Sequence, residues 1–199
     1  MRDLAGLGGR VVGISGKAGL SHTVLVQALE SVHLRPDRDV TIIGVGQGTP
    51  LYAALESGQV AAGMVPEPML SAFLADGAYK VLYAFNKPFA GNVVMANTSW
   101  VRAHGDGMRR LIYVLLKETA RVRSDPAIAI PPMSKDFPNI GPRIMLQAIM
   151  HELLFVPKDL KVQQDGVQTV SRIELQLGEL KAPIPFSQCV DDTLIANTR

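Results

Sequence analysis

Apolar runs and polar turns alternate through the first half of the chain at strand and helix spacing. Residues 10–15 (RVVGIS) follow Gly8-Gly9 and predict a buried strand. The loop Gly16-Lys17-Ala18-Gly19 comes next. Residues 23–32 then keep helical spacing in Val24, Leu25, Ala28, Leu29 and Val32, with Ser21 as the N-cap. Residues 40–45 predict a second strand. Residues 49–57 predict a helix stopped by Gly58, residues 60–65 a third strand, and residues 69–76 a helix ending at Gly77. Residues 79–84 and 92–96 read as further strands. The order β-α-β-α-β-α-β-β predicts an α/β unit with parallel strands and right-handed crossovers.

Within that order, residues 40–68 are the most telling. Two apolar runs end at Gly46-Gln47-Gly48 and at Pro66-Glu67-Pro68, which places two polar loops at the C-terminal ends of two adjacent parallel strands. Small ligands of open α/β sheets sit outside those ends.

After Asn97 the pattern turns helical. Thr98-Ser99 caps a short turn, and a long helix is expected from Asp106 to about Arg123, with Met108, Leu111, Ile112, Leu115, Leu116 and Ala120 on one face. Pro131-Pro132 and Pro138 break the chain. Residues 142–154 and 165–178 are helical, and residues 181–199 are irregular. Helices with no sheet of their own pack on something else. The expected domains are residues 4–96, an α/β lobe, and residues 97–199, a mostly helical segment.

Composition changes this picture little. The 199 residues are 47% hydrophobic and 19% charged, so the chain is globular. The net charge of +2 is too small to argue for nucleic acid; the arginines and lysines between Arg109 and Arg123 read as a solvated helix face. Cys189 is the single cysteine and excludes an intrachain disulfide. It has no His or acid at recognisable spacing. His104 and His151 lack a second ligand at i+3 or i+4, so no metal and no cofactor is expected. No Ser–His–Asp order, carboxylate pair or H-E-x-x-H argues for catalysis, and no apolar run is long enough to span a bilayer.

The candidate chemistry is that of binding. Ser15, Gly16, Gly19, Ser21, His22 and Thr23 lie between the first strand and its helix, where backbone N–H groups take anions without a charged side chain. Ser21 serves there as a ligand donor or only as the helix cap. Lys17 offers a charge to an anion or is a solvated loop lysine. Gln47, between two glycines, offers an acceptor and two donors, or the segment is a turn capped through Thr49. Glu67 lines a cleft or supports a helix N-terminus. Asn92 lines the site or caps a turn after Gly91.

The segments DLAGLGGRVVGISG, PDRDVTIIGVGQGTPLYAALESGQVAAGMVPEPML, GNVVMANTSWVRAH and GVQTVSRIELQLGELKAP, with QCVDD near the end, resemble the periplasmic substrate-binding proteins of ABC importers. The nearest group is the nitrate/sulfonate/taurine type, which includes binders of the thiamine pyrimidine precursor. Ala61 stands where the family pattern has Asp. The resemblance implies a type II periplasmic-binding-protein fold, an interlobe cleft for a sulfonate, taurine or nitrate-like solute, a membrane permease as partner, and a periplasmic location. It also implies that the first lobe is incomplete: the match starts at the second lobe, and residues 97–199 correspond to helices returning to the first. Met1-Arg2-Asp3-Leu4 opens with no signal peptide, so the chain as written would stay in the cytoplasm. The unpaired first-lobe helices are expected to favour self-association. The alternatives are a biosynthetic or sensor protein of the thiamine-precursor type on the same fold, or a fragment without function.

Overall fold

In a computed structural model, residues 1–17, 19–85 and 87–196 are described. Ala18 of the first loop, Asn86, and the last three residues of the expected irregular tail lie outside them. The chain divides into two compact units, Met1–Asn86 and Lys87–Arg199.

The first unit is built on a three-stranded parallel sheet. A 3₁₀ turn at Leu4–Leu7, capped by the Asp3 carboxylate, leads into β1 (Val11–Ile14). Helix α1 (Leu20–Glu30) connects to β2 (Thr41–Gly44), and α2 (Thr49–Glu56) connects to β3 (Ala62–Gly63). The strand order is β2-β1-β3. Val11 to Ile14 lie beside Thr41 to Gly44, and Val12 and Gly13 lie beside Ala62 and Gly63. The second and third strands are therefore not neighbours, contrary to the expectation from sequence, because β1 lies between them. The third strand also shrinks from six expected residues to two.

Strand alternation sorts the apolar residues onto two faces. Val12, Ile14 and Ile42 pack with Leu25, Ala28 and Leu29 of α1. Val11, Ile43 and Val45 pack with Leu51 and Ala54 of α2. The order 2-1-3 requires this, since right-handed crossovers running in opposite directions put their helices on opposite faces. Two glycines set how closely α2 approaches. A Cβ built on Gly63 would lie 2.6 Å from Leu51 Cδ1, and one on Gly13 would lie 3.0 Å from the same atom. Leu51 is 1% exposed and fills the space that those side chains would need.

Helix α3 (Met69–Asp76) ends at Gly77, whose φ of 74° is left-handed. Beyond it residues 79–84 form no strand among the described residues. Tyr79 instead stacks on Phe73, centroids 5.0 Å apart, and its phenol donates to Glu56 Oε1. That hydrogen bond, then desolvation, pushes the phenol up to about 12. The folded state thus favours the protonated phenol, a contribution present below the ordinary tyrosine value near 10 and lost as pH rises through about 12. In a tyrosinate absorbance titration one of the four tyrosines is expected to ionise last. Glu56→Gln should bring it back towards the other three; an unchanged late phase would show that Glu56 is not the cause.

The second unit holds the remaining helices. Asn97, not Thr98 or Ser99, caps α4 (Thr98–Ala103), its Oδ1 accepting from the Ser99 and Trp100 amides. Helix α5 (Gly105–Ser124) carries a charged face on which Arg109 pairs with Asp106, and Arg121 with Glu118 at 2.7 Å. Arg123 reaches the carbonyls of Leu153 and Val156 and so ties α5 to the end of α7 (Pro142–Glu152). Pro131-Pro132 sit in the first turn of α6 (Ile130–Asp136) and begin that helix rather than break the chain, because a missing N–H costs nothing there. Helix α8 (Gln164–Gln176) packs on the backbone of Phe89 and Ala90 through Gly166, where an added Cβ would lie 3.0 Å from the Ala90 nitrogen. The expected irregular tail contains two short helices, α9 (Phe186–Cys189) and α10 (Thr193–Ala196), the latter capped by Asp191. Met108, Ile140, Met145, Ala148, Ile149 and Ile173 are the buried apolar residues of this unit. Residues 92–96 form no strand. No described helix is long and apolar enough to cross a membrane.

Candidate functional site

The order β2-β1-β3 has a topological switch point at β1, where the crossovers leave in opposite directions. Ligand crevices of open α/β sheets form at the carboxyl ends of the strands at such a point. The loops after the three strands share that edge. The Val45 amide donates to the Ile14 carbonyl at 2.9 Å, and the Met64 amide to the Gly13 carbonyl at 3.1 Å. A Cβ on Gly44 would lie 3.8 Å from the Gly16 Cα, so the first and second loops are also adjacent.

The loop after β1 is the most organised of the three. Gly19, in extended conformation, is the N-cap of α1, which begins at Leu20. Ser21 therefore sits inside the first turn and does not cap the helix. Its hydroxyl turns back to the strand end, accepting from the Ser15 amide at 3.1 Å and lying 2.6 Å from the Ser15 hydroxyl. Proton counting defines what this pair can offer. One hydroxyl donates to the other, which leaves one O–H of the two free to donate elsewhere. The amides of Leu20 and Ser21, at the positive end of an eleven-residue helix, have no acceptor among the described residues. Gly16 leaves the approach open, with nothing within 4 Å of where its Cβ would be. Ser15 and Ser21 thus come together as a small set of donors beside the open backbone of Gly16.

The other sequence candidates are placed as follows. His22 is half-buried in the same turn. Thr23 is buried, and its hydroxyl donates to the Gly19 carbonyl at 3.4 Å. Lys17 pairs with Asp37 at 3.0 Å, and that hydrogen bond is the main cause holding the Asp37 carboxyl below its usual range. The loop's only cation is therefore offset by an acid that sequence spacing gave no reason to pair with it. Gln47 is exposed between Gly46 and Gly48, both left-handed at φ 83° and 64°. Gly48, not Thr49, is the N-cap of α2. Glu67 Oε2 accepts from the Ser71 amide and Oε1 from the Ser71 hydroxyl, each at 3.0 Å, so its carboxylate braces the first turn of α3. Asn92 is exposed and belongs to the second unit.

Elsewhere, His104 stacks on Trp100 with centroids 4.7 Å apart, and His151 meets Phe155 edge-on. The Cys189 thiol is directed at the carbonyls of Pro185 and Phe186. No group of His, Cys, Asp or Glu suited to a metal occurs among the described residues.

No protein-family model matches the chain, and no curated protein matches it. Solved structures do. The alkanesulfonate-binding protein SsuA from Xanthomonas axonopodis pv. citri, bound to MOPS, matches all of this chain at 18% identity and a TM-score of 0.66. The periplasmic aliphatic sulphonate binding protein SsuA from Escherichia coli matches 98% of it at 20% identity and a TM-score of 0.70. A protein from Bordetella bronchiseptica matches 96% at 21% identity and a TM-score of 0.68. The chain spans 65%, 67% and 62% of the lengths of those three, in that order. The likeness establishes the fold, an α/β, type II periplasmic-binding-protein architecture.

Proposed function

We propose that this chain is part of a solute-binding protein that captures a small solute bearing an anionic oxyacid group, with an alkanesulfonate or taurine as the leading class and nitrate as the next. The observation that carries the proposal is the Ser15–Ser21 pair beside the Leu20 and Ser21 amides of α1, which have no acceptor among the described residues, at the switch point of the sheet. Three sulfonate oxygens suit convergent N–H and O–H donors. A site with its lysine already paired takes an anion through dipoles and hydrogen bonds. The names of the two SsuA structures point to the same class of ligand. In this reading residues 4–96 correspond to the second lobe of such a protein and residues 97–199 to helices of the first. Gln47, Glu67, His22 and Thr23 complete or support the site, a membrane permease receives the solute, and the working compartment is the periplasm. The protein is a receptor rather than an enzyme.

A ligand of the native state adds about 2.7 kcal/mol of stability at a hundred times Kd and so raises the melting midpoint. Melting the chain in ethanesulfonate, taurine, nitrate or choline chloride is expected to raise the midpoint with one or more of the anions and not with choline. A cooperative melt that no millimolar anion moves would overturn the proposal.

A further inference from the structure

The first loop holds one charge that the site chemistry leaves unused. Lys17 follows Gly16 and is the loop's only cation. It lies two residues from Ser15, so their Cα atoms are within about 7 Å of each other. Its flexible four-carbon stem would let the ammonium reach a solute held there. The structure turns it elsewhere: Nζ donates to Asp37 Oδ2 at 3.0 Å.

Asp37 is held in place to receive it. Its backbone is left-handed at φ 55°, and its Oδ1 accepts from the Ile42 amide at 3.3 Å, so the carboxylate is anchored to β2. The neighbouring Asp39 is taken by a two-pronged contact from Arg35, at 2.7 and 2.8 Å, which leaves Asp37 to the lysine. The charge of His22, in the first turn of α1, also acts on the Asp37 carboxyl, so this acid lies within electrostatic reach of the loop. Both side chains of the pair are at least half exposed, and such a pair is readily exchanged. What stays fixed is their sum. Whether Lys17 points at Asp37 or at a solute, the two together bring no net charge to the loop.

We propose that Asp37 is a specificity-determining residue that keeps the anion site for singly charged groups. The inference rests on the reading of Ser15, Ser21 and the α1 amides as that site. A helix N-terminus carries about half an elementary positive charge. A sulfonate or nitrate group has a single negative charge to be offset there. The second charge of a sulfate needs a free cation, and Asp37 denies it one. The acid acts through the position and charge of Lys17, without touching the solute. Its removal therefore strengthens binding, the opposite of what loss of a contact or of local structure does.

Titration calorimetry with sodium ethanesulfonate and sodium sulfate, at one ionic strength, tests it. Asp37→Asn keeps the oxygen that accepts from the Ile42 amide, and asparagine tolerates a left-handed φ, so the circular dichroism spectrum is expected to be unchanged. The freed Lys17 is expected to tighten ethanesulfonate binding roughly 2- to 5-fold, the worth of an exposed ion pair, and sulfate binding by about the square of that factor. The ratio of sulfate to ethanesulfonate affinity therefore rises, which a structural disturbance alone would not cause. Lys17→Met in the Asp37→Asn background should return the ratio to the wild-type value. Suppose ethanesulfonate binds the wild-type chain. An unchanged ratio in Asp37→Asn, or a raised ratio that survives Lys17→Met, would then overturn this inference and leave the anion site standing. Failure of both probes to bind any of the three proteins would overturn the two together.

Discussion

Leu51→Ala is expected to destabilise the first unit by about 2–5 kcal/mol, the range for removing a buried leucine from a packed site. Leu51 is 1% exposed and lies against the sheet over Gly13 and Gly63, which cannot move in to fill the void because both are held in the ladder with their neighbours. The reciprocal change is informative. Gly63→Val should cost about 1–3 kcal/mol by overpacking, since even its Cβ would fall 2.6 Å from Leu51 Cδ1. In the Leu51→Ala background the same valine occupies vacated space, so the double variant should be more stable than the sum of the singles predicts, with a coupling of about 0.5–3 kcal/mol. Hydrogen exchange at the Val12 and Gly13 amides reports this unit separately from the helical one. Strict additivity would show that Leu51 and Gly63 do not share the space.

The second large effect concerns ligand binding and rests on the proposed anion site. Ser15→Ala leaves the Ser21 hydroxyl able to donate outward. Ser21→Ala frees the Ser15 hydroxyl but removes the acceptor of the Ser15 amide. Each single substitution therefore keeps one O–H donor, and the double substitution keeps none. A hydrogen bond to a charged group contributes about 1.5–3 kcal/mol. The double variant is accordingly expected to lose roughly 10- to 150-fold in affinity for the anion found by thermal shift, with each single losing less than half of that in free energy and Ser21→Ala the weaker binder of the two. Titration calorimetry on the four proteins checks it. Equal losses in both singles and the double would mean that the pair acts only as a bracket, and no loss anywhere would place the anion elsewhere.

Local pattern made the local elements legible. The apolar spacing of α1 and α2 and the stops at Gly58 and Gly77 are all in the structure, within a few residues at the boundaries. The long amphipathic α5 is there too. What failed depends on partners distant in the chain. Residues 79–84 and 92–96 have strand-like composition, but a strand exists only when another backbone accepts its hydrogen bonds, and composition does not record whether one does. Strand order has the same origin: nothing in residues 40–68 signals that β1 will lie between the two strands there. At the candidate site, the sequence reading of Ser21 as the helix N-cap does not hold. The helix starts one residue after Gly19, so the serine hydroxyl is released to meet Ser15. The Lys17–Asp37 pair was missed because twenty residues separate its members. The two acids of the turn before β2, Asp37 and Asp39, were the available signal, though Arg35 and Arg38 stand beside them as nearer partners.

The central position of β1 also bears on how the first unit assembles. Every ladder bond in the sheet has β1 as one partner, so β2 and β3 never contact each other and neither can start the sheet without it. Of these three strands, the one that comes first along the chain is the template on which the other two are laid. During translation β2 can dock as soon as it has followed β1 and α1 out of the ribosome, and β3 adds to a pair already formed. A protein made in this order meets no competition between β2 and β3 for a partner, because β1 offers each a different edge. Cutting the chain ahead of α1 would abolish the sheet outright, whereas cutting it after α2 would leave a two-stranded remnant with α1 still covering one face.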